Sequence, residues 1–166
     1  MSRATGALVL AAAGLAILAT SRRAEAAPTA SCEVPIILGK QSGDGRPPEI
    51  DERIQRLKPY LEKAPFTAWH QFKLLERKDL SVPEHGATEF TLPNGREATL
   101  SFLDHSGGAG DDHHRMRLRL LIEDKAKNKK VLDTTFVLDE GGVVLHGCQH
   151  FEGGVLVLGI SCKTQD

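Results

Sequence analysis

Surplus positive charge is the first thing this 166-residue sequence lacks, with 21 Lys and Arg against 22 Asp and Glu, a formal net charge of −1. Nucleic-acid binding calls for a basic footprint, so the composition argues against that class of partner. Aromatic residues are few: one Trp, one Tyr and six Phe. Trp69 and Tyr60 could form a binding patch, but their simpler role is to close a helix over a sheet. Cysteine is limited to Cys32, Cys148 and Cys162, so at least one cannot pair within the chain. Beyond the first residues no segment reaches the about 20 apolar residues that a membrane helix needs. There is no internal repeat, and no low-complexity tract after the first segment, which sets aside solenoid and repeat architectures.

What is present begins with MSRATGALVLAAAGLAILATSRRAEAAPTASC. Arg3 supplies a positive start, an uncharged apolar run follows from about Ala7 to Ala19, and Ala24-Glu25-Ala26 has the small-x-small form of a cleavage site. These features predict a signal peptide over 1–26 and export to the periplasm or outside the cell. A lipid anchor at Cys32 after Thr29-Ala30-Ser31, or an uncleaved N-terminal anchor, is the alternative address. Loss of 1–26 removes three arginines and one glutamate and moves the formal charge from −1 to −3. No membrane span is expected in the mature chain.

Residues 27–48 are rich in Gly, Pro and Ser, with an apolar island from Val34 to Leu38, and read as a tether. Residues 49–166 read as a single domain with one core. Ile50, Ile54, Leu57 and Leu61 recur at helical spacing, predicting one amphipathic helix that stops or kinks at Pro59. After Phe66 seven segments read as strands. Met116, Leu118, Leu120 and Ile122 alternate with Arg115, Arg117 and Arg119. Leu132, Thr134, Phe136 and Leu138 alternate with Asp133, Thr135 and Asp139. Period-two alternation means one buried and one wet face, with the three arginines facing Asp133 and Asp139. Asn94-Gly95, Glu140-Gly141-Gly142 and Glu152-Gly153-Gly154 are hairpin turns by composition, and Lys125 to Lys130 form a solvated tip. The fold class predicted is mainly β, an antiparallel meander, sandwich or open barrel, with one N-terminal helix.

The stretch HGCQH places metal-binding residue types at alternate positions: His146, Cys148 and His150. A two-residue hairpin at Glu140-Gly141-Gly142 would put Val143, Leu145 and Phe151 on the core side with Leu132, Phe136 and Leu138. His146, Cys148 and His150 would then face solvent beside Asp133 and Thr135. Residues two apart on a strand are about 6.6 Å apart and residues four apart about 13 Å, so no single ion could take all three. A divalent metal would need Cys148, one histidine and outside help; otherwise this is a wet strand. The same strand geometry disfavours a Cys148–Cys162 disulfide and leaves Cys32 with Cys162 or Cys148. The loop from Asp104 to Arg115 adds Asp104, His105, Asp111, Asp112, His113 and His114, a polar connector that is also a candidate for weak divalent-metal binding. No acid, base and nucleophile set stands at recognisable spacing. The leading expectation is therefore an exported, non-catalytic binding or interaction module with a protein or envelope partner and no cofactor. An exported metal-binding protein is second. A small hydrolase using His105 and Ser106 is third.

Overall fold

The computed structural model describes residues 28–41, 47–107 and 114–165, without the side chain of Cys148. The leader expected over 1–26 and the loop residues Asp111, Asp112 and His113 lie outside the described residues. The fold is mainly β, as the alternating segments require. Sheet A has the strand order β2-β3-β1-β9-β8 and sheet B the order β4-β5-β6-β7. The strands are β1 (Thr29–Lys40), β2 (Glu49–Ile50), β3 (Gln71–Pro83), β4 (Gly86–Thr91), β5 (Glu97–Ser106), β6 (Arg115–Asp124), β7 (Lys129–Asp139), β8 (Val144–Phe151) and β9 (Gly154–Gln165). All pairings between these strands are antiparallel except the two-residue contact of β2 with β3.

Sheet B follows the sequence pattern closely. Met116, Leu118, Leu120 and Ile122 are fully buried against Ile36, Leu156, Leu158 and other inward residues of sheet A. Their neighbours on β6 form an arginine row on the wet face. Arg115 pairs with Asp139 at 3.0 Å, Arg119 with Asp133 at 2.7 Å, and Arg117 with Asp104. The hydrogen bond from Arg119, with help from Lys130, holds the Asp133 carboxyl down to about 2.

Sheet A differs from expectation because part of its outer face is covered as well as its inner one. Its inner face meets sheet B. Its outer face carries Ile37, Phe72, Leu74, Val155 and Val157 under a cap made by Ile50, Ile54, Leu57, Leu61 and Phe66. Strands buried on both sides read as continuous apolar runs without alternation, and this explains the first correction. The tether expected over 27–48 is, over Thr29–Lys40, the central strand of sheet A, paired with β3 on one side and β9 on the other. Pro35 disguised it. The ladder between β1 and β9 skips Val34 and Pro35, and the proline ring lies against Gly159, where a Cβ would come within 3.0 Å of it.

The amphipathic stripe is real, but its backbone is not one helix. A 3-10 segment (Glu52–Leu57) leads into a single α turn, α1 (Lys58–Leu61), with a non-helical Ile54 at φ −125°. Pro59 does not end the helix; it sits in the first turn of α1, where its missing N–H leaves no bond unmade. All four stripe residues are buried. Tyr60 is exposed, whereas Trp69 packs on the cap core, so only one of the two aromatics closes the layer.

The Glu140-Gly141-Gly142 turn is likewise no hairpin. It carries the chain from the β7 edge of sheet B to the β8 edge of sheet A. Gly141 takes φ +75° and its N–H bonds the Cys162 carbonyl at 3.1 Å, tying the crossing to β9. The true two-residue hairpin is Glu152-Gly153, both at positive φ, between Phe151 and Gly154.

Candidate functional site

The HGCQH stretch lies on β8, at the open edge of sheet A. Its register against β9 runs His146 to Leu158, Gly147 to Val157, then Gln149 to Leu156, so Cys148 is an extra residue in a bulge. A one-residue insertion reverses the alternation beyond it. His146, before the bulge, shares the inward side of Val144 with its ring 4.8 Å from that of Phe136, while His150, beyond it, is turned the other way and exposed. Val144 and Phe151 share the inward side, and Val143 and Leu145 pack on the cap side. The single wet face expected for His146, Cys148 and His150 is thus corrected, because the bulge separates the two histidines. Among the described residues no three His, Cys, Asp or Glu gather closely enough to hold a metal ion.

The disulfide joins Cys32 to Cys162, directly opposed on β1 and β9 with Cα atoms 4.1 Å apart and both side chains buried. Cys148 is the cysteine left outside that bond. Next to the bulge, Gln149 is only 6% exposed and bridges the sheets. Its Oε1 accepts from Asn94 Nδ2 at 2.5 Å and from Arg96. The sequence marked Asn94 as a turn residue and gave no sign of this bridge.

His146 offers a pH test. Its Nε2 is enclosed without a partner, and burial lowers its pKa below the ordinary value. A base with a depressed folded pKa is stabilising when neutral. Its contribution is intact above the unfolded value of about 6.5 and is lost as pH falls through the folded pKa. The His146→Phe variant is expected to lose less stability than the wild type between neutral and acid pH. Urea midpoints along a pH series will measure this, and parallel curves would exclude the effect.

The Asp104 loop is divided among partners. Asp104 goes to Arg117 on the wet face of sheet B. His105 Nδ1 meets Glu84 at 2.6 Å, in the β3–β4 connection, a partner the sequence did not suggest. His114 is exposed, and its carbonyl accepts the Glu140 N–H.

Two hollows flank the cap. The larger, about 720 Å³, is lined by Asp51, Arg53, Gln71, Lys73 and others. Two of its charges, Asp51 and Arg53, are already engaged. Arg53 bonds Asp51 at 2.7 Å and holds that carboxyl well below the usual range. Both side chains also cap β3, Asp51 accepting the Leu74 N–H and Arg53 donating to the Leu74 carbonyl.

The smaller hollow, about 280 Å³, is lined by Pro48, Leu61, Glu62, Thr67, Trp69 and His70. Local structure fixes each wall. Leu61 comes from α1, and Trp69 follows the turn at Phe66–Ala68. Gly39 lets the indole approach β1: a Cβ there would meet Trp69 Cγ at 3.4 Å and Phe72 at 3.3 Å. Gly147 does the same for Phe66, at 3.2 Å. The His70 backbone is clamped by bonds to Lys40 and Glu49, of 2.9 and 2.7 Å. Its Nδ1 is buried with no protein partner.

Comparison of the chain with protein-family models, curated proteins and solved structures gives no match. What the site can do rests on its chemistry. An indole and two aliphatic walls offer an apolar surface, while Glu62, Thr67 and His70 offer hydrogen bonds around it. A few placed polar groups around an apolar floor are the usual make-up of a ligand site. The volume lies just under the about 300–1,000 Å³ of drug-sized pockets and suits one ring. Of these six residues the sequence singled out Trp69 as a binding aromatic and Leu61 as part of the apolar stripe. The others are ordinary surface types brought together by the cap.

Proposed function

We propose that this chain is an exported, non-catalytic binding module of the cell envelope or extracellular space, and that its ligand site is the pocket between Trp69 and His70. The observation that carries the reading is the buried, unpartnered His70 Nδ1 beside an aromatic wall. An unsatisfied buried polar atom costs about 1–3 kcal/mol, and a ligand hydroxyl that meets it as the His70 ring turns toward the pocket recovers that loss. A neutral sugar ring suits both elements, with C–H groups for the indole and hydroxyls for His70, Thr67 and Glu62. The leader pattern supports export, and the buried disulfide accords with an oxidising compartment.

Because Trp69 is the chain's one tryptophan, its fluorescence reports on this pocket. Titration with a panel of neutral mono- and disaccharides is expected to give a saturable change for at least one of them. The His70→Leu variant is expected to bind it about tenfold more weakly, the worth of one hydrogen bond of about 1–1.5 kcal/mol. A flat response to every sugar, or equal affinity in the variant, would remove the reading.

A further inference from the structure

We propose that two copies of this chain pair through β7, joining their four-stranded sheets into one continuous eight-stranded sheet about a two-fold axis at Thr135. The motive is a contrast among the free edges. The open side of β3 is blocked at Leu74 by the Asp51 and Arg53 side chains. β8 is interrupted by the bulge at Cys148, and β4 has only six residues. β7 is different. From Leu132 to Asp139 it keeps unbroken register with β6, contains no Gly or Pro, and pairs with no strand on its other side among the described residues. Its Val137 is 57% exposed, the more open of the two exposed large apolar side chains among the described residues. A long, regular, unprotected edge of this kind is a template for another strand.

The residue order on β7 identifies the occupant as a second copy. Register with β6 places Lys130, Asp133, Thr135, Val137 and Asp139 on the wet face, since Val131 is the extra residue between Leu132 and Lys130. Antiparallel self-pairing about Thr135 sets Val137 opposite Asp133 of the other copy and, with Val131 bulged out of that ladder as it is from the one with β6, Asp139 opposite its Lys130. By symmetry each contact forms twice. On the inner face Leu138 meets Leu132 and Phe136 meets Thr134, which prolongs the core across the axis. No like charges oppose each other. An opposite-charge pair across strands is worth about 0.2–1 kcal/mol, so the end pairs select this register and the backbone ladder supplies the bulk of the attachment. The surface lies on the sheet B side of the molecule, away from the capped face that holds the Trp69 pocket, and does not depend on that pocket.

Sedimentation over a concentration series of the purified protein tests this, with two variants at the exposed Val137. Val137→Asp places a carboxylate opposite Asp133 and is expected to weaken the dimer at least tenfold. Val137→Arg places a cation there and is expected to tighten it. The opposite signs are specific to the register, because loss of a general hydrophobic contact would weaken both. Urea unfolding of each variant checks that the monomer fold is retained. As a second probe, Asp139→Lys is expected to weaken the dimer, and combining it with Lys130→Asp to restore it. A wild-type protein that stays monomeric to its solubility limit overturns the proposal, as does weakening by both Val137 variants or no rescue by the double swap.

Discussion

Replacing Cys32 and Cys162 together by alanine is expected to lower the unfolding free energy by about 2–5 kcal/mol. The two residues are 130 apart in sequence, so the bond closes almost the whole described fold into one loop. In the chain-entropy picture the gain rises slowly with loop length and reaches about 4.7 kcal/mol for a 100-residue loop. The bond also sits in the inter-sheet core, where both sulfurs are buried among Ala30, Val34 and Ile160, so alanine leaves unfilled space as well. Urea denaturation of variant and wild type gives the difference. Thiol titration under denaturing, non-reducing conditions should find one free cysteine per wild-type chain. Three free thiols, or a change under about 1 kcal/mol, would mean that β1 and β9 are not joined as described.

The second large effect is expected at the cap. Leu57→Ala should cost about 2–5 kcal/mol, the range for emptying a fully buried leucine site. Leu57 is 0% exposed and belongs to the cluster formed by Ile54, Leu61, Phe66 and the outer face of sheet A. The damage should extend to the ligand pocket, because Leu61 in the next turn and Trp69 share that cluster. Trp69 emission in the variant is therefore expected to shift to the red as water reaches the indole. Tyr60→Ala, in the same segment but 40% exposed, should stay within about 0.5 kcal/mol of wild type. Equal costs at the two positions would show that the segment rests on the surface instead of forming a third layer.

These two sites also mark where sequence reading succeeded and where it did not. Strands β6 and β7 were legible because each faces oil on one side and water on the other. Alternation there is a direct record of burial, down to the pairing of Arg115 and Arg119 with Asp139 and Asp133. The cap stripe Ile50, Ile54, Leu57 and Leu61 was legible as one apolar face, but side-chain spacing does not distinguish a regular α-helix from 3-10 turns with a break at Ile54. Strand β1 was hidden because from Val34 to Gly39 it is buried on both faces and because Pro35 looks like a breaker until Gly159 is placed opposite it. The bulge at Cys148 left no local mark, yet it put His146 and His150 on opposite sides of the strand.

The sequence alone determined the β-rich class, the turn at Asn94-Gly95, the wet arginine row and the short list of partners open to Cys32. These follow from properties local to a few residues: periodicity, turn chemistry and strand spacing. Only the tertiary structure decided that β7 and β8 part into different sheets, that Cys162 is the partner of Cys32, and that His70 and Trp69 meet at a pocket. Each of those depends on which strands pair or on which segment covers a face of sheet A. A strand's own residues record that a face is buried, but not what buries it.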